Sequence, residues 1–185
     1  SGDNEKVMVG NFIADWVKGN KYLDYQTEIR RGILMHRAID SFTDNHPLHK
    51  HSRSFFTDSY GRFSGIVVDV LYDHFLSVHW NEYGNGDRIS YIKNAYLVIE
   101  KYRTFLPARP KRLLPSMIHH DWVGAYVSMY GLHKVLERMS RRTALPAFSR
   151  DAISILRENY DLIDCDFKVF YPELSAYVEQ LDFRF

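Results

Sequence analysis

The hydrophobic residues of this chain recur mostly at helical intervals. In "ISYIKNAYLVIEKYRTFL", residues 89–106, apolar side chains stand three and four positions apart, which places them on one face of a helix. The alternation that is typical of strands is scarce. Turn-forming residues gather at "DNHP" (44–47), "YGNGD" (83–87), "PARP" (107–110) and "ALP" (144–146). The pattern predicts an all-α protein of about six or seven helices. They are expected near residues 5–18, 25–43, 47–57, 61–81, 88–105, 112–139 and 148–182, the last two each with a break.

Nothing in the composition marks a boundary between domains. The 185 residues are 45% hydrophobic and include only six prolines, which is enough for a full hydrophobic core. No repeat or linker-like stretch interrupts them. We therefore expect residues 1–185 to form a single compact helical domain. Because the chain begins at Ser1 and not at Met, we also expect that native residues precede it.

The charge balance gives no general attraction to nucleic acid or to membranes. Lys plus Arg number 24 and Asp plus Glu number 23, for a net charge of +1. No apolar run approaches the roughly 20 residues that span a bilayer, and the start does not resemble a signal peptide. The single cysteine, Cys165, rules out an internal disulfide and suits a reducing compartment. We expect a cytoplasmic protein that meets any charged partner through a local patch.

Two carboxylates and an imidazole interrupt one of the predicted apolar helices. The stretch "IVVDVLYDHFLSVHW", residues 66–80, contains Asp69, Asp73 and His74 but no Lys or Arg. Asp69 and Asp73 share a helix face about 40° apart, and His74 is turned about 100° further round. A buried carboxylate without a partner is costly, so a bound metal ion is one solution.

A structural network is the other solution. An arginine from elsewhere, such as Arg30, Arg31 or Arg37, would neutralise the aspartates, and His74 would be a hydrogen-bonded core histidine. From this helix alone the two interpretations are equally supported.

Two more stretches repeat the pattern. In "GILMHRAIDSFTDNHP", His36, Asp40 and Asp44 are four residues apart and lie on one side of a helix. In "VGNFIADWVKG", Asp15 stands among large apolar residues. Imidazole and carboxylate groups on facing helices suit manganese, iron or magnesium. Asp44 directly precedes "NHP", so capping of the next helix is the favoured role for it.

Three of these motifs carry a family resemblance. In their order and spacing, "GNFIADWVKG", "HRAIDSFTDNHP" and "VVDVLYDHFLSVHW" resemble the acyl carrier protein phosphodiesterase family, and "HDWVGAYVSMYGL" with "ERMSRR" is similar to the family's later half. The resemblance implies a helical, HD-domain-like metallohydrolase. It also implies hydrolysis of the phosphodiester that joins 4'-phosphopantetheine to a serine of acyl carrier protein. Manganese would be the favoured ion, with magnesium or iron(II) as alternatives. The implied metal ligands are Asp15, His36, Asp40, Asp69, Asp73 and His74, with catalytic roles for Asp15, His36, Asp69 and Asp73.

A literal His-Asp pair, His120–Asp121, competes with Asp73–His74 for the metal. We favour Asp73–His74, which shares its helix with Asp69, and expect Asp121 to be a cap or an outer hydrogen-bond acceptor. A metal ion acidifies water, so no nucleophilic side chain is needed. Accordingly, the chain contains no G-x-S-x-G motif.

Basic residues suggest how the substrate is held. Arg37 is a candidate phosphate ligand, although a structural ion pair is the commoner role for one arginine. The stretch "RTFLPARPKR" is expected to form an extended loop that presents Arg109, Lys111 and Arg112 to acyl carrier protein, an acidic helical domain. The arginines of "ERMSRR" form a second basic cluster, but the dipole of the helix that they end explains them without any partner.

Three other functions remain open. A di-iron oxidase would carry Glu-x-x-His, and no Glu stands three residues before any His. The HD-like resemblance also allows hydrolysis of a nucleotide or another small phosphoester. A protein that binds acyl carrier protein without catalysis is the third possibility.

Overall fold

The computed structural model describes residues 4–141 and 149–181. Within these two ranges every regular element is helical, so the all-α prediction is confirmed. None of the helices described has the length and apolar character needed to cross a membrane. The α-helices are α1 (Glu5–Ile13), α2 (Thr27–Asn45), α3 (Pro47–Ser54), α4 (Thr57–Tyr60), α5 (Ser64–Val78), α6 (Trp80–Tyr83), α7 (Arg88–Lys101), α8 (Ala108–His119), α9 (Met129–Ser140), α10 (Ser149–Glu158) and α11 (Tyr160–Glu179). Turns of 3₁₀ helix lie at Ala14–Trp16, Gly19–Asp24, Gly61–Phe63, Arg103–Phe105 and Gly124–Val127.

The described helices are shorter and more numerous than expected. The helix predicted near 5–18 ends at Ile13, and Asp15 lies in the 3₁₀ turn that follows. The helix predicted near 61–81 is divided at His79, which has a φ of −94° and a ψ of 23°. An apolar pattern continues across breaks of one residue, so it cannot reveal them. The break predicted at 144–146 and the residue Arg142 lie outside the described residues.

The "PARP" stretch is not an extended loop, so that prediction was wrong. Helix α8 begins within it, and Arg109, Lys111 and Arg112 all lie in its first turns. Pro110 is the third residue of the helix. Proline is tolerated there because the first N–H groups of a helix have no partner within the helix.

The core consists of two hydrophobic clusters. The smaller cluster joins α1, α2, α7 and α8 and includes Ile13, Ile29 and Leu114, all fully buried. The larger cluster joins α5 to α9, α10 and α11 around Leu71 and Phe75. The predicted acidic residues are therefore divided between the clusters. Asp15 lies just after α1, and His36 and Asp40 lie on α2, so these three belong to the part of the fold that contains the smaller cluster. Asp69 and Asp73 lie on α5, which belongs to the larger cluster.

Helices α1 and α2 meet backbone to backbone at two glycines. A Cβ atom on Gly10 would lie 2.0 Å from the carbonyl oxygen of Ile29, and one on Gly32 would lie 2.1 Å from that of Val7. No side chain fits in either place. This contact fixes the position of α1, which leads to Asp15, relative to α2, which carries His36.

Hydrogen bonds between histidine and carboxylate side chains connect helix α11 to the rest of the fold. Histidines from three other positions in the chain contact its carboxylates. Hydrogen bonds of this kind, between an imidazole and a carboxylate, keep buried polar atoms satisfied. The pairs are His46–Glu173 at 3.0 Å, His51–Asp166 at 2.8 Å and His79–Asp164 at 2.6 Å.

Candidate metal and catalytic site

The structure brings three of the predicted ligands together. Asp15, His36 and Asp40 each offer one donor atom, and these atoms lie within 4.8 Å of one another. His36 Nε2 lies 3.5 Å from Asp15 Oδ1 and 3.3 Å from Asp40 Oδ2. The side chains of Asp15 and Asp40 are 69% and 57% exposed, so a substrate can reach the group from solvent.

Asn11 orients the imidazole of His36. The amide oxygen of Asn11 lies 2.8 Å from His36 Nδ1. An amide oxygen only accepts hydrogen bonds, so Nδ1 carries the hydrogen and a neutral ring has its lone pair on Nε2, facing the two carboxylates. Histidines that bind metals are commonly oriented in this way. Asn11 was not predicted, although a lone amide in the apolar stretch that contains Asp15 was an available signal.

The same contacts set the charge of His36. Burial disfavours the imidazolium, but the Asp15 and Asp40 carboxylates outweigh it and raise the pKa of His36. The hydrogen bond with His36 in turn lowers the pKa of Asp15. When no cation is bound, the two carboxylates therefore favour the protonated form of His36.

Arg37 lies against the turns that follow Asp15. Its Nη2 donates to the carbonyl oxygens of Val17, at 2.7 Å, and Gly19, at 2.9 Å. The guanidinium also lies over the ring of Tyr22, 5.2 Å from its centroid. These contacts hold the segment that carries Asp15, and the phosphate-binding role of Arg37 stays a prediction.

The negative charge continues from this group to α5. Burial and the charges of Asp15, Asp69 and Asp44 raise the pKa of Asp40, whereas His36 opposes the rise. Asp69 is therefore close enough to Asp40 to influence its charge. We call Asp15, His36, Asp40, Asp69 and Asp73 the acidic row.

Asp73 lies at the end of the acidic row and holds its proton unusually tightly. The residue is exposed to solvent, yet the protein atoms that crowd around its carboxyl group, together with the Asp69 charge, raise its pKa to about 7. The hydroxyl of Tyr126 donates a hydrogen bond to this carboxylate. Tyr126 was not predicted, since nothing in its local sequence sets it apart.

His49 supports Asp69 from inside the protein. Its side chain is fully buried, and its Nε2 lies 3.1 Å from Asp69 Oδ1. Because a carboxylate only accepts, Nε2 carries the hydrogen. His49 Nδ1 has no hydrogen-bond partner in the described part of the chain. His49 thus fixes one oxygen of Asp69, and it too was missed in the sequence.

His74 lies outside the acidic row. It is buried, with Nδ1 2.7 Å from the carbonyl oxygen of Tyr126 and Nε2 3.2 Å from the hydroxyl of Tyr160. Burial lowers the pKa of His74. Both nitrogens are engaged, which is the arrangement expected of a hydrogen-bonded core histidine.

Asp121 caps a turn, as expected. Its Oδ1 accepts from the backbone N–H of Gly124 at 3.0 Å and from the hydroxyl of Tyr96 at 3.3 Å. It is not a member of the group that Asp15, His36 and Asp40 form.

Comparisons with known proteins agree with the sequence motifs. Residues 1–174 match the model of a family described as acyl carrier protein phosphodiesterase. A protein of that name from Yersinia pestis is 33% identical over 168 residues, which cover 90% of this chain and 87% of the relative. One from Klebsiella pneumoniae is 36% identical over 174 residues, covering 93% and 90%. One from Escherichia coli O139:H28 is 33% identical over 180 residues, covering 93% and 90%. No solved structure matches the chain.

Proposed function

Because the chain belongs to the acyl carrier protein phosphodiesterase family, we propose that it hydrolyses the phosphodiester between 4'-phosphopantetheine and a serine of acyl carrier protein. We also propose that the acidic row holds a divalent metal ion for this reaction. The observation that carries the proposal is the cluster of Asp15, His36 and Asp40, whose donor atoms lie within 4.8 Å of one another.

The donor set of the row fits a divalent cation. It offers carboxylate oxygens and one imidazole nitrogen, and no sulfur, which favours manganese, magnesium or iron(II). His36 Nε2 is already directed at Asp15 and Asp40 through its hydrogen bond with Asn11. We propose manganese as the ion, with magnesium or iron(II) as the alternatives.

Each residue of the row has a role in this mechanism. A divalent cation, when bound, offsets charge on the phosphoryl oxygens and makes a water molecule more acidic. Asp15, His36, Asp40 and Asp69 would hold it. Asp73 is suited to general acid–base catalysis, because burial and the Asp69 charge raise its pKa to about 7.

The proton balance follows from this role. Asp73 accepts a proton as the oxygen of water bonds to phosphorus. It returns that proton to the serine oxygen as the bond between phosphorus and that oxygen breaks. The products are apo-acyl carrier protein and 4'-phosphopantetheine.

His74 takes part as a support and not as a ligand. Its Nδ1 lies 2.7 Å from the backbone carbonyl of Tyr126, and the Tyr126 hydroxyl donates to the Asp73 carboxylate. A histidine placed behind a catalytic group in this way fixes its position. His74 therefore positions Asp73 through Tyr126.

The basic residues of α8 remain our proposed contact for the carrier protein. Arg109 and Arg112 are exposed and Lys111 is half-buried. Cations in the first turns of a helix are unfavourable with its dipole, and the first turn of α8 carries no acid. An acidic protein surface would offset this charge.

Turnover of holo-acyl carrier protein tests the proposal. We expect the purified protein to release 4'-phosphopantetheine, seen by mass spectrometry as conversion to the apo form. Chelator should abolish the reaction and Mn²⁺ should restore it best. Release that resists chelator would refute the metal mechanism. Hydrolysis of small phosphoesters without any action on holo-acyl carrier protein would refute the substrate.

A further inference from the structure

A cavity lined by aromatic rings lies beyond the acidic row. Its volume is about 490 Å³, and it opens among α1, α5, α6, α7 and α11. None of the predicted site residues lines it. Its main walls are Met8, Leu76, Trp80, Tyr83, Tyr91 and Tyr171.

The face of α5 that carries the two aspartates continues into this cavity. Asp69, Asp73 and Leu76 follow one another at intervals of four and three residues, which is the spacing of one helix face, and Leu76 lines the cavity. Only His79 separates α5 from α6, and Trp80 is the first residue of α6. At 1.5 Å per residue, Leu76 lies about 10 Å from Asp69 along the axis of α5.

Helix α1 also connects the cavity with the acidic row, but its N-terminal end lies at the cavity and its C-terminal end lies near the row. Its first residue, Glu5, and Met8 line the cavity. Asn11, one turn further along, contacts His36, and Asp15 follows the end of the helix. Two separate elements thus lead from the acidic row to the cavity.

The cavity suits an uncharged ligand that is partly apolar. The Trp80 and Tyr91 rings lie 4.8 Å apart and the Tyr83 and Tyr171 rings 5.0 Å apart, forming two aromatic walls. The carboxylate of Glu5 is already compensated, since it accepts from Lys101 Nζ at 2.6 Å.

Amide groups at the rim add polarity without charge. Asn85 and Asn94 line the cavity, and both are exposed. Each offers one acceptor and two donor hydrogens. A ligand with amide groups of its own would be recognised by them.

We infer that the cavity receives the thiol end of the pantetheine arm while its phosphate lies at the acidic row. This inference rests on the proposed function and names how the site holds its substrate. The arm carries two amides, a dimethyl carbon and a terminal thiol, and no charge beyond its phosphate. About thirteen bonds separate phosphorus from sulfur, which at roughly 3.5 Å per three bonds reaches about 15 Å. The arm is therefore longer than the distance of about 10 Å along α5 from Asp69 to Leu76, so it can reach the cavity.

To test the inference, a larger side chain is introduced to fill the cavity. Binding of free 4'-phosphopantetheine is then measured by calorimetry in the presence of Mn²⁺. Asn94→Phe projects a ring from the exposed side of α7, and Asn85→Phe is a second variant in a different segment. Lys93→Phe is the matched control, because Lys93 is exposed on the same helix and does not line the cavity. We expect both cavity variants to weaken binding at least tenfold and Lys93→Phe to bind as the wild type does.

Kinetic measurements distinguish binding of the pantetheine arm from hydrolysis of the phosphodiester. Asn94→Phe should lower kcat/KM for holo-acyl carrier protein at least tenfold, whereas Lys93→Phe should leave both this value and the hydrolysis of bis(p-nitrophenyl) phosphate, which has no arm, unchanged. Binding of 4'-phosphopantetheine by both cavity variants within twofold of the wild type would overturn the inference, as would no binding to the wild type. A wild type that binds 4'-phosphopantetheine but does not cleave holo-acyl carrier protein would instead refute the proposed function, so the two failures are distinguishable.

Discussion

Asp69 and Asp73 share one face of α5, and burial together with the charge of Asp69 raises the pKa of Asp73 to about 7. The two carboxylates have different partners. His49 donates to Asp69 from the interior, whereas the Tyr126 hydroxyl donates to Asp73. One helix thus presents two acids in two environments, which is how neighbouring carboxyl groups acquire separate roles as ligand and proton carrier.

Metal affinity should depend on pH. The carboxylates raise the pKa of His36 despite burial, and burial raises the pKa of Asp40. Protons and the cation compete for these atoms, so acid weakens binding. We expect the affinity for Mn²⁺ to rise from about pH 5.5 to about pH 8 and then to level off. Calorimetry in two buffers of different ionisation enthalpy measures both the affinity and the protons released. An affinity that does not change over this range would contradict the assignment.

Loss of the Asp73 charge should stabilise the metal-free protein. The raised pKa means that ionising Asp73 costs folding free energy, fully above about pH 7 and not at all below the unfolded value of 3.8. Allowing for the solvent that reaches the side chain, we expect Asp73→Asn to gain about 1–2 kcal/mol at pH 8 in chelator.

The gain should disappear below about pH 4, where Asp73 is protonated in both the folded and the unfolded state. Urea denaturation at the two pH values measures it. Asp58→Asn, which changes an exposed acid on α4, is the control and should have little effect. Equal stability of Asp73→Asn and the wild type at pH 8 would show that ionising Asp73 costs no folding free energy.

Removing a ligand should remove the metal. We expect Asp69→Ala to lower Mn²⁺ affinity by about tenfold or more, together with turnover. The control is Asp87→Ala, because Asp87 accepts from the backbone N–H of Ser90 and caps α7 far along the chain from the row. That variant should lose stability, because the cap of α7 is removed, and keep its metal. Metal analysis that finds both variants equally loaded would exclude Asp69 as a ligand.

The contact between α1 and α2 should be intolerant of a single methyl group. In Gly32→Ala the new Cβ would collide with the carbonyl oxygen of Val7. We expect a loss of about 2 kcal/mol or more, because neither backbone can yield without moving its helix. Mn²⁺ affinity should fall as well, since α2 carries His36.

Gly65→Ala is the matched control for that variant. The atoms nearest to its Cβ would belong to the flexible side chain of Arg53, the first at 3.4 Å. Gly65 also lies in α5, where alanine favours the helix by up to about 1 kcal/mol. Thermal unfolding of the pair tests the comparison, and equal stabilities of Gly32→Ala and Gly65→Ala would contradict it.

Reversing the charges on α8 should weaken recognition of the carrier protein. In the triple variant Arg109→Glu, Lys111→Glu and Arg112→Glu, we expect KM for holo-acyl carrier protein to rise most at low salt. Charges at the rim of an interface act on association and are screened within about 10 Å at 0.1 M salt. Hydrolysis of a small phosphodiester should be unchanged. An equal loss on the small substrate would place these residues in the active site.

The sequence revealed the chemistry of the site better than its framework. Acids within apolar stretches are visible without coordinates, and Asp15, His36 and Asp40 do come together. The supporting residues His49 and Tyr126 could not be predicted, because their roles depend on which helices meet. His74 illustrates the same limit, since its two partners stand 52 and 86 residues further along the chain.

The close approach of α1 and α2 has a bearing on evolution. Between Gly10 and Gly32 the helices touch through main-chain atoms, which every sequence possesses. The separation of Asn11 and His36 therefore does not depend on which side chains fill the neighbouring core. Substitutions can change the size and shape of the apolar residues around the contact, while the two glycines keep the ligand geometry constant.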